Sequence, residues 1–315
     1  MSNKKILDNI PSKEWVNARN GSGGYLGGSE VASALGENPW ITPFQLWLVK
    51  TGRQEPIIST PVMELGHLLE PMIAEKFTQA TGLKLRNISE PYQHPEHSFL
   101  RGNIDRQICS SETHDRPGVL EIKSTTSYRL RKEGGLYPST WDYQIQHYLM
   151  LTGYQYGYLA IFERDTGIFH EPILIKRDEP FIKRNTERII QWWTLHIIQD
   201  IAPEPVNNED LLLLYPDAAD GSVVEASAED KTYYEELLRV RRKKNDLELE
   251  EDLLKAFLKA SIGEAERLVA GGRDLITWKT QESNRLDTKA LKQRYPALCK
   301  KFVKQSKTRR FVVKS

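Results

Sequence analysis

Asp105 is followed, after fifteen intervening residues, by Glu121-Ile122-Lys123. On a strand, alternate side chains share a face, so Glu121 and Lys123 project together while Leu120 and Ile122 pack behind them. Charged groups at the end of an otherwise apolar strand are costly unless they find partners. An aspartate on a neighbouring strand would let Asp105 and Glu121 meet at a divalent ion. Mg²⁺ takes oxygen ligands and keeps several waters, a demand met by one or two carboxylates and a substrate phosphate. Lys123 would then orient or deprotonate the attacking water and offset charge on the phosphate. The plainer reading of Glu121 and Lys123 is a surface salt bridge.

Three further groups bear on that choice. Glu70 shares a helical face with Gly66, Ile73, Ala74 and Phe77, which makes it a candidate third acidic ligand. Gln144 and Tyr148 stand one turn apart on one helix, where the Gln144 amide could hold a water or a phosphate. Arg19, together with Gly27-Gly28-Ser29-Glu30 opening a helix, has the makings of an anion site: free N–H groups, a helix dipole, a hydroxyl and a guanidinium.

The elements that must position these residues are legible from punctuation. Ser29 reads as the N-cap of a helix running through Leu35 and ended by Gly36. Thr42-Pro43 opens a second helix, closed by Gly52, and Thr60-Pro61 a third, stopped by Gly82. Pro71 inside that third helix predicts a kink or restart near Glu70. Phe99–Ile108 and Val119–Ser124 read as strands. Thr140 is expected to cap a helix over Trp141–Thr152, with Gly153 as its stop. Strands follow over Tyr156–Arg164 and Phe169–Lys176, joined by Asp165-Thr166-Gly167, then a helix over Glu179–Asp200. This order predicts an α/β domain over residues 1–204, a mixed sheet flanked by helices. Residues 206–228 read as a linker in which Leu211–Leu214 docks on something. Asp230–Ser261 reads as one long charged helix. A small β-rich piece, with Ile276-Thr277-Trp278 and Phe311-Val312-Val313, brackets a helix near Thr288–Tyr295. Residues 205–315 are thus expected to form a helical plus small β module.

The chain has 315 residues, 39% hydrophobic and 28% charged. It contains no run of 18 apolar residues, which excludes a helical membrane span, and Met1–Ile10 lacks the apolar core of a secretory signal. With only Cys109 and Cys299, a four-cysteine zinc or iron–sulfur site is excluded and a reduced compartment is expected. Net charge is only +1 but unevenly spread. Residues 1–204 hold 22 basic against 24 acidic side chains, residues 205–260 hold 8 against 14, and residues 261–315 hold 14 against 5. The last segment, including Lys300, Lys301, Lys304, Lys307, Arg309, Arg310 and Lys314, is a candidate phosphate-binding footprint, or else a solvated basic tail.

Arg19 with LGGSEVASALGENPW, then FQLWLVKTGR, LGHLLEP, RGNIDRQ, VLEIKST and YQIQHYLMLTG, together resemble the YqaJ-like viral recombinase family, a lambda-exonuclease-like group within the PD-(D/E)XK nucleases. The resemblance spans roughly residues 15–200. It implies a restriction-endonuclease-like fold and two catalytic Mg²⁺ ions, with Mn²⁺ as a substitute. It also implies processive 5′→3′ digestion of double-stranded DNA to mononucleotides, leaving a 3′ overhang for single-strand annealing. Carried over by position, it makes Glu70, Asp105 and Glu121 metal ligands, with Ile122 counted beside them. Lys123 becomes the catalytic lysine, Gln144 an active-site polar residue, and Arg19 and Ser29 the pocket for a 5′-phosphate. Asn103 departs from the family's phage enzyme, which has a phosphate-binding serine there, and Glu96 is the weak counterpart of a further upstream acid. The implied setting is the cytoplasm of a bacterial host, with a homo-oligomeric ring, a trimer among the options, and a single-strand annealing protein as partner. Two other readings compete: a sequence-specific endonuclease on the same fold, and a non-catalytic DNA-end-binding or annealing module.

Overall fold

The computed structural model describes residues 24–56, 59–112, 114–132, 137–219, 221–304 and 308–314. It forms two compact units, Met1–Tyr215 and Pro216–Ser315.

In the first unit, three helices precede the sheet: α1 (Gly28–Ala34), α2 (Pro43–Lys50) and α3 (Pro61–Thr81). Thr42 and Thr60 cap α2 and α3 by accepting the N–H of Gln45 and Met63, with proline at the first helical position in each. Gly82 closes α3 at φ +71°, the left-handed conformation that glycine adopts without strain. The helix is continuous through Pro71, so the expected restart is absent. A proline deletes one hydrogen bond, and here it does so on the exposed side of the helix, where water can donate to the freed carbonyl in place of the missing N–H. Ser29 is not the cap of α1. Gly27 holds that position, and Glu30 reaches back to its N–H at 3.0 Å.

The central sheet has strand order β1-β4-β5-β6-β7, with β8 also paired to β6. These strands are β1 (Leu85–Arg86), β4 (Arg106–Ile108), β5 (Gly118–Thr125), β6 (Tyr156–Glu163), β7 (Ile168–Phe169) and β8 (Ile173–Lys176). Among the described strands of this sheet only β5 and β6 run parallel, Glu121 lying opposite Leu159 and Lys123 opposite Ile161. The parallel pair requires a crossover, supplied by α4 (Ser127–Lys132) and α5 (Thr140–Thr152). Alternation then sorts the core. Val119, Leu159 and Ile161 pack with Ile145 and Leu149 of α5, while Leu120, Ala160 and Phe162 pack with Ile73 and Phe77 of α3. The sheet is therefore mixed and covered by helices on both faces, as expected for the α/β class. Each fully buried leucine, isoleucine or phenylalanine contributes roughly 1.5–3 kcal/mol.

Several expected elements differ in detail. Phe99–Ile108 is not one strand: β3 (Arg101–Gly102) pairs with β2 (Tyr92–Gln93) in a separate sheet, and the ladder resumes only at Arg106. Phe169–Lys176 likewise divides into β7 and β8 around Pro172, which has no N–H to offer a ladder. Ser139, rather than Thr140, is the N-cap of α5. The last long helix is α6 (Glu179–Trp192) followed by a π-helical turn, Trp193–Ile198. Beyond it, α7 (Asn208–Leu214) joins the first unit: buried Asp210 accepts from the Thr42 hydroxyl at 2.9 Å, and Leu214 packs on the cluster around Trp47 and Trp193.

The second unit contains α8 (Ala228–Ile262), capped by Ser227, and a hairpin of β9 (Arg267–Ala270) and β10 (Arg273–Thr277). Gly271-Gly272 joins the strands with both residues at positive φ, as a two-residue hairpin turn demands. Two short helices follow, α9 (Thr288–Arg294) and α10 (Pro296–Lys301). Phe311-Val312-Val313 is not a strand; apolar β-formers need a partner edge, and none pairs with them among the described residues.

Candidate active site

The break before β4 brings Asp105 to the sheet. Register pairs Arg106 with Leu120, so a continued ladder would set Ile104 against Ile122. Instead the Asp105 carboxylate itself accepts the Ile122 N–H at 2.7 Å. The side chain thus takes over a backbone bond and is fixed beside the middle of β5. Ile122 enters this group through that N–H, a donor.

Glu121 is 2% exposed and its two oxygens differ sharply. Oε1 receives Lys123 Nζ at 2.7 Å and Gln144 Nε2 at 2.7 Å. Oε2 is buried and has no hydrogen-bond partner among the described residues. Gln144, reaching down from α5, closes the triangle by accepting Lys123 Nζ at 2.8 Å, and its amide nitrogen also reaches the Tyr148 hydroxyl at 3.1 Å. Lys123 Nζ lies 5.6 Å from the centre of the Trp141 ring, a cation–π contact. The bland possibility, an exposed Glu121–Lys123 salt bridge, does not describe this arrangement: the pair is sequestered and bridged by an amide.

Electrostatics follow from that burial. Burial, then the neighbouring Glu121 and Glu70 charges, push the Asp105 carboxyl well above the usual carboxylate value, against the pull of Lys123 and the Ile122 N–H. Burial raises Glu121 as well; Lys123 opposes the rise by charge and hydrogen bond, and Glu70 adds to it. For Glu70 burial acts in the same direction, but His67 and Arg106 outweigh it and hold the carboxyl below its ordinary value.

Asp105, Glu121, Lys123 and Gln144 are therefore brought together, while Glu70 is near enough to act on both carboxylates yet is bonded to Arg106 and 3.9 Å from His67. No three His, Cys, Asp or Glu side chains are gathered as a metal-holding group among the described residues. Even so, the donor chemistry fits a hard divalent cation. A buried carboxylate oxygen without a partner among the described residues lies beside a second carboxylate pushed toward its protonated form, a pair of oxygen donors that could take one.

Ser29 lies exposed in the first turn of α1, and Arg19 is outside the described residues. The glycines near Ser29 have another task. A Cβ on Gly28 would come within 2.6 Å of the Tyr148 ring, and one on Gly102 within 2.7 Å. The two glycines thus seat the ring whose hydroxyl meets Gln144. Sequence reasoning missed this role, and also Arg106 and Trp141. Arg106 had a signal in its adjacency to Asp105; the Trp141 contact with Lys123 spans 18 residues and had none.

Residues 14–155 match the family model described as the YqaJ-like viral recombinase domain. The uncharacterized protein YqaJ of Bacillus subtilis (strain 168) is 30% identical over 298 residues, covering 92% of this chain and 91% of that protein. Among solved structures, the alkaline exonuclease LHK-Exo of Laribacter hongkongensis aligns at 19% identity and TM-score 0.47, over 60% of this chain and 94% of that one. A phage-related exonuclease of Haemophilus somnus 129PT aligns at 14% identity and TM-score 0.41, over 56% and 96%.

Proposed function

The chain belongs to the YqaJ-like viral recombinase family, and from that premise we propose that it is a Mg²⁺-dependent deoxyribonuclease that digests double-stranded DNA from its ends. The observation that carries this reading is the buried Glu121 Oε2, without a hydrogen-bond partner among the described residues and beside Asp105, with Lys123 and Gln144 already engaged at the other oxygen. Asp105 and Glu121 would hold the metal, and Glu70 would join them on exchanging Arg106 for a cation. Two Mg²⁺ ions, or Mn²⁺ in their place, would supply positive charge to the attacking and departing oxygens of a phosphodiester displacement. Lys123 has its ammonium fixed from two sides, so it can offset charge on a phosphate without first reorganising. Gln144 sets the distance between Lys123 and Glu121, and Tyr148, clasped by Gly28 and Gly102, sets Gln144. The Trp141 ring walls one side of the ammonium.

The finer reading is 5′→3′ digestion inside a bacterial host, leaving a 3′ overhang for an annealing protein, by a ring-shaped oligomer. In it Arg19 and Ser29 bind the 5′-phosphate. The test uses linear duplex bearing a 5′-phosphate or a 5′-hydroxyl, in Mg²⁺ or EDTA, beside closed circular duplex. Mononucleotide release from the linear DNA should require Mg²⁺ and run faster from phosphorylated ends, with the circle intact. Cutting of the circle would transfer the reading to an endonuclease. Digestion in EDTA, or none of either substrate, would overturn it.

A further inference from the structure

The closing stretch of the second unit, residues 288–315, contains ten lysines and arginines and no aspartate or glutamate. Helix α8 is built differently. Three of its eight cations meet acids about one turn away: Arg239–Glu236 at 2.8 Å, Lys244–Glu248 at 3.5 Å and Lys255–Glu251 at 2.8 Å. By contrast, Lys289, Lys292, Lys300, Lys301 and Lys304 make no ion pair among the described residues. The acid nearest in sequence, Asp287, is spent as the N-cap of α9, accepting from the Lys289 and Ala290 N–H groups at 3.0 and 2.9 Å. The far end of the stretch is tied back to α8, where the Tyr234 hydroxyl donates to the Lys314 carbonyl at 2.7 Å.

Charge alone would suit any polyanion, but the aromatic residues narrow the choice. Tyr295, Phe302 and Phe311 are 50%, 81% and 81% exposed. Each adjoins a cation in sequence: Arg294, Lys301 and Arg310 respectively. The Arg294 guanidinium lies 5.9 Å from the centre of the Tyr295 ring. In a duplex the base faces are stacked on one another and offer nothing to such rings. An unpaired strand presents a free base face and a phosphate at every nucleotide, which is what interleaved aromatics and cations match. An anionic membrane would favour one long amphipathic face; here α9 has seven residues and α10 six.

We propose that residues 288–304 and 308–314 form a binding surface for single-stranded DNA, with bases stacked on Tyr295, Phe302 and Phe311 and phosphates met by the lysines and arginines among them. This lies outside the residues of the nuclease reading and goes beyond it.

The experiment uses the full chain in EDTA, so that binding is measured without cleavage. Fluorescence anisotropy follows a labelled, non-self-complementary oligodeoxynucleotide and its duplex over a range of salt. Phe302→Leu with Phe311→Leu keeps apolar area but removes the ring faces. It should weaken single-strand binding by about tenfold or more and leave the duplex nearly unchanged. Lys300→Gln, Lys301→Gln and Lys304→Gln together should weaken binding and make the salt slope shallower by about 0.7 for each phosphate no longer neutralised. All five side chains are exposed, and circular dichroism would verify that the variants remain folded. Single-strand binding that survives the leucine substitutions, or falls equally on both DNAs, overturns the proposal. So does sedimentation with phosphatidylserine vesicles in the absence of single-strand binding. Cleavage is scored separately in Mg²⁺. A chain that cleaves nothing, yet loses single-strand binding on the leucine substitutions, would defeat the nuclease reading and uphold this one.

Discussion

The two units of the chain carry opposite charge. Residues 1–215 hold 22 lysines and arginines against 26 aspartates and glutamates, a net of −4, whereas residues 216–315 hold 22 against 17, a net of +5. Their interiors differ too. The first unit buries Leu120, Ile145, Leu159 and Phe77 on the two faces of its sheet. In the second, Ile262 is the buried residue of α8, while Leu247, Leu253 and Phe257 stand exposed. A centre that concentrates carboxylates for a cation repels the phosphates it must act on, so attraction for DNA has to be built elsewhere. On the proposed reading a division of labour is expected: buried, geometrically fixed chemistry in one unit, and exposed, salt-sensitive holding in the other.

The sharpest way to break that division is at Lys123. Lys123→Ala should slow DNA hydrolysis by at least ~10²-fold, the scale for a positioned acid–base or electrostatic group. DNA affinity measured in EDTA should stay as it was. Turnover near wild type would remove Lys123 from the chemistry, and weakened affinity would make it a holding residue instead.

Ending the chain at Tyr215 probes the same boundary from the other side. This keeps α7, whose Asp210 is bonded to Thr42. The shortened protein should retain Mg²⁺-dependent cleavage, while binding single strands about tenfold or more weakly and with a shallower dependence on salt. A folded chain that binds DNA normally but cannot cleave would show that the second unit contributes to the chemistry.

Gly102→Ala tests the scaffold within the first unit. Its Cβ would meet Tyr148 Cε1 at 2.7 Å, and overpacking of this kind costs about 1–3 kcal/mol. A thermal melt should show a loss of about 2–4 °C for each kcal/mol. An unchanged melt would mean that the Tyr148 ring moves freely and does not fix Gln144.

The smallest effect concerns protons. Asp105 stands well above the usual carboxylate range in the folded chain, so between the ordinary and the raised value the folded state binds more protons than the unfolded one. Metal-free stability should therefore fall as pH rises through that window. Asp105→Asn, which can still accept the Ile122 N–H, should melt higher than wild type at neutral pH in EDTA and show a flatter pH profile. An unchanged slope would contradict the assigned electrostatics.

Much of the first unit was legible because its signals are local. Thr42-Pro43, Thr60-Pro61, Gly82 and Gly153 punctuate helices through their own backbone preferences, and the alternation along β5 declares its two faces. The same alternation put Glu121 and Lys123 on one side. What escaped depends on distant partners. Ser29 resembles a cap, yet Glu30 makes the capping bond, and Gly28 is small because the Tyr148 ring lies against it. The gap before β4 exists because a side chain replaces a ladder bond, which no periodicity encodes. The pairing of Glu70 with Arg106 is a tertiary contact that the apolar helical face around Glu70 does not announce. Phe311–Val313 has strand-like residues but no edge to join among the described residues.

The central claim is that Asp105 and Glu121 are a carboxylate pair awaiting a divalent cation. Titration calorimetry with Mn²⁺ in buffers of differing protonation enthalpy tests it most directly. Wild type should bind and release protons, since carboxyls held toward their protonated form must lose protons to become ligands. Asp105→Asn should weaken binding and release fewer protons. Wild-type protein that binds no metal, or an Asp105→Asn variant that binds with the same affinity and the same proton release, would contradict the account.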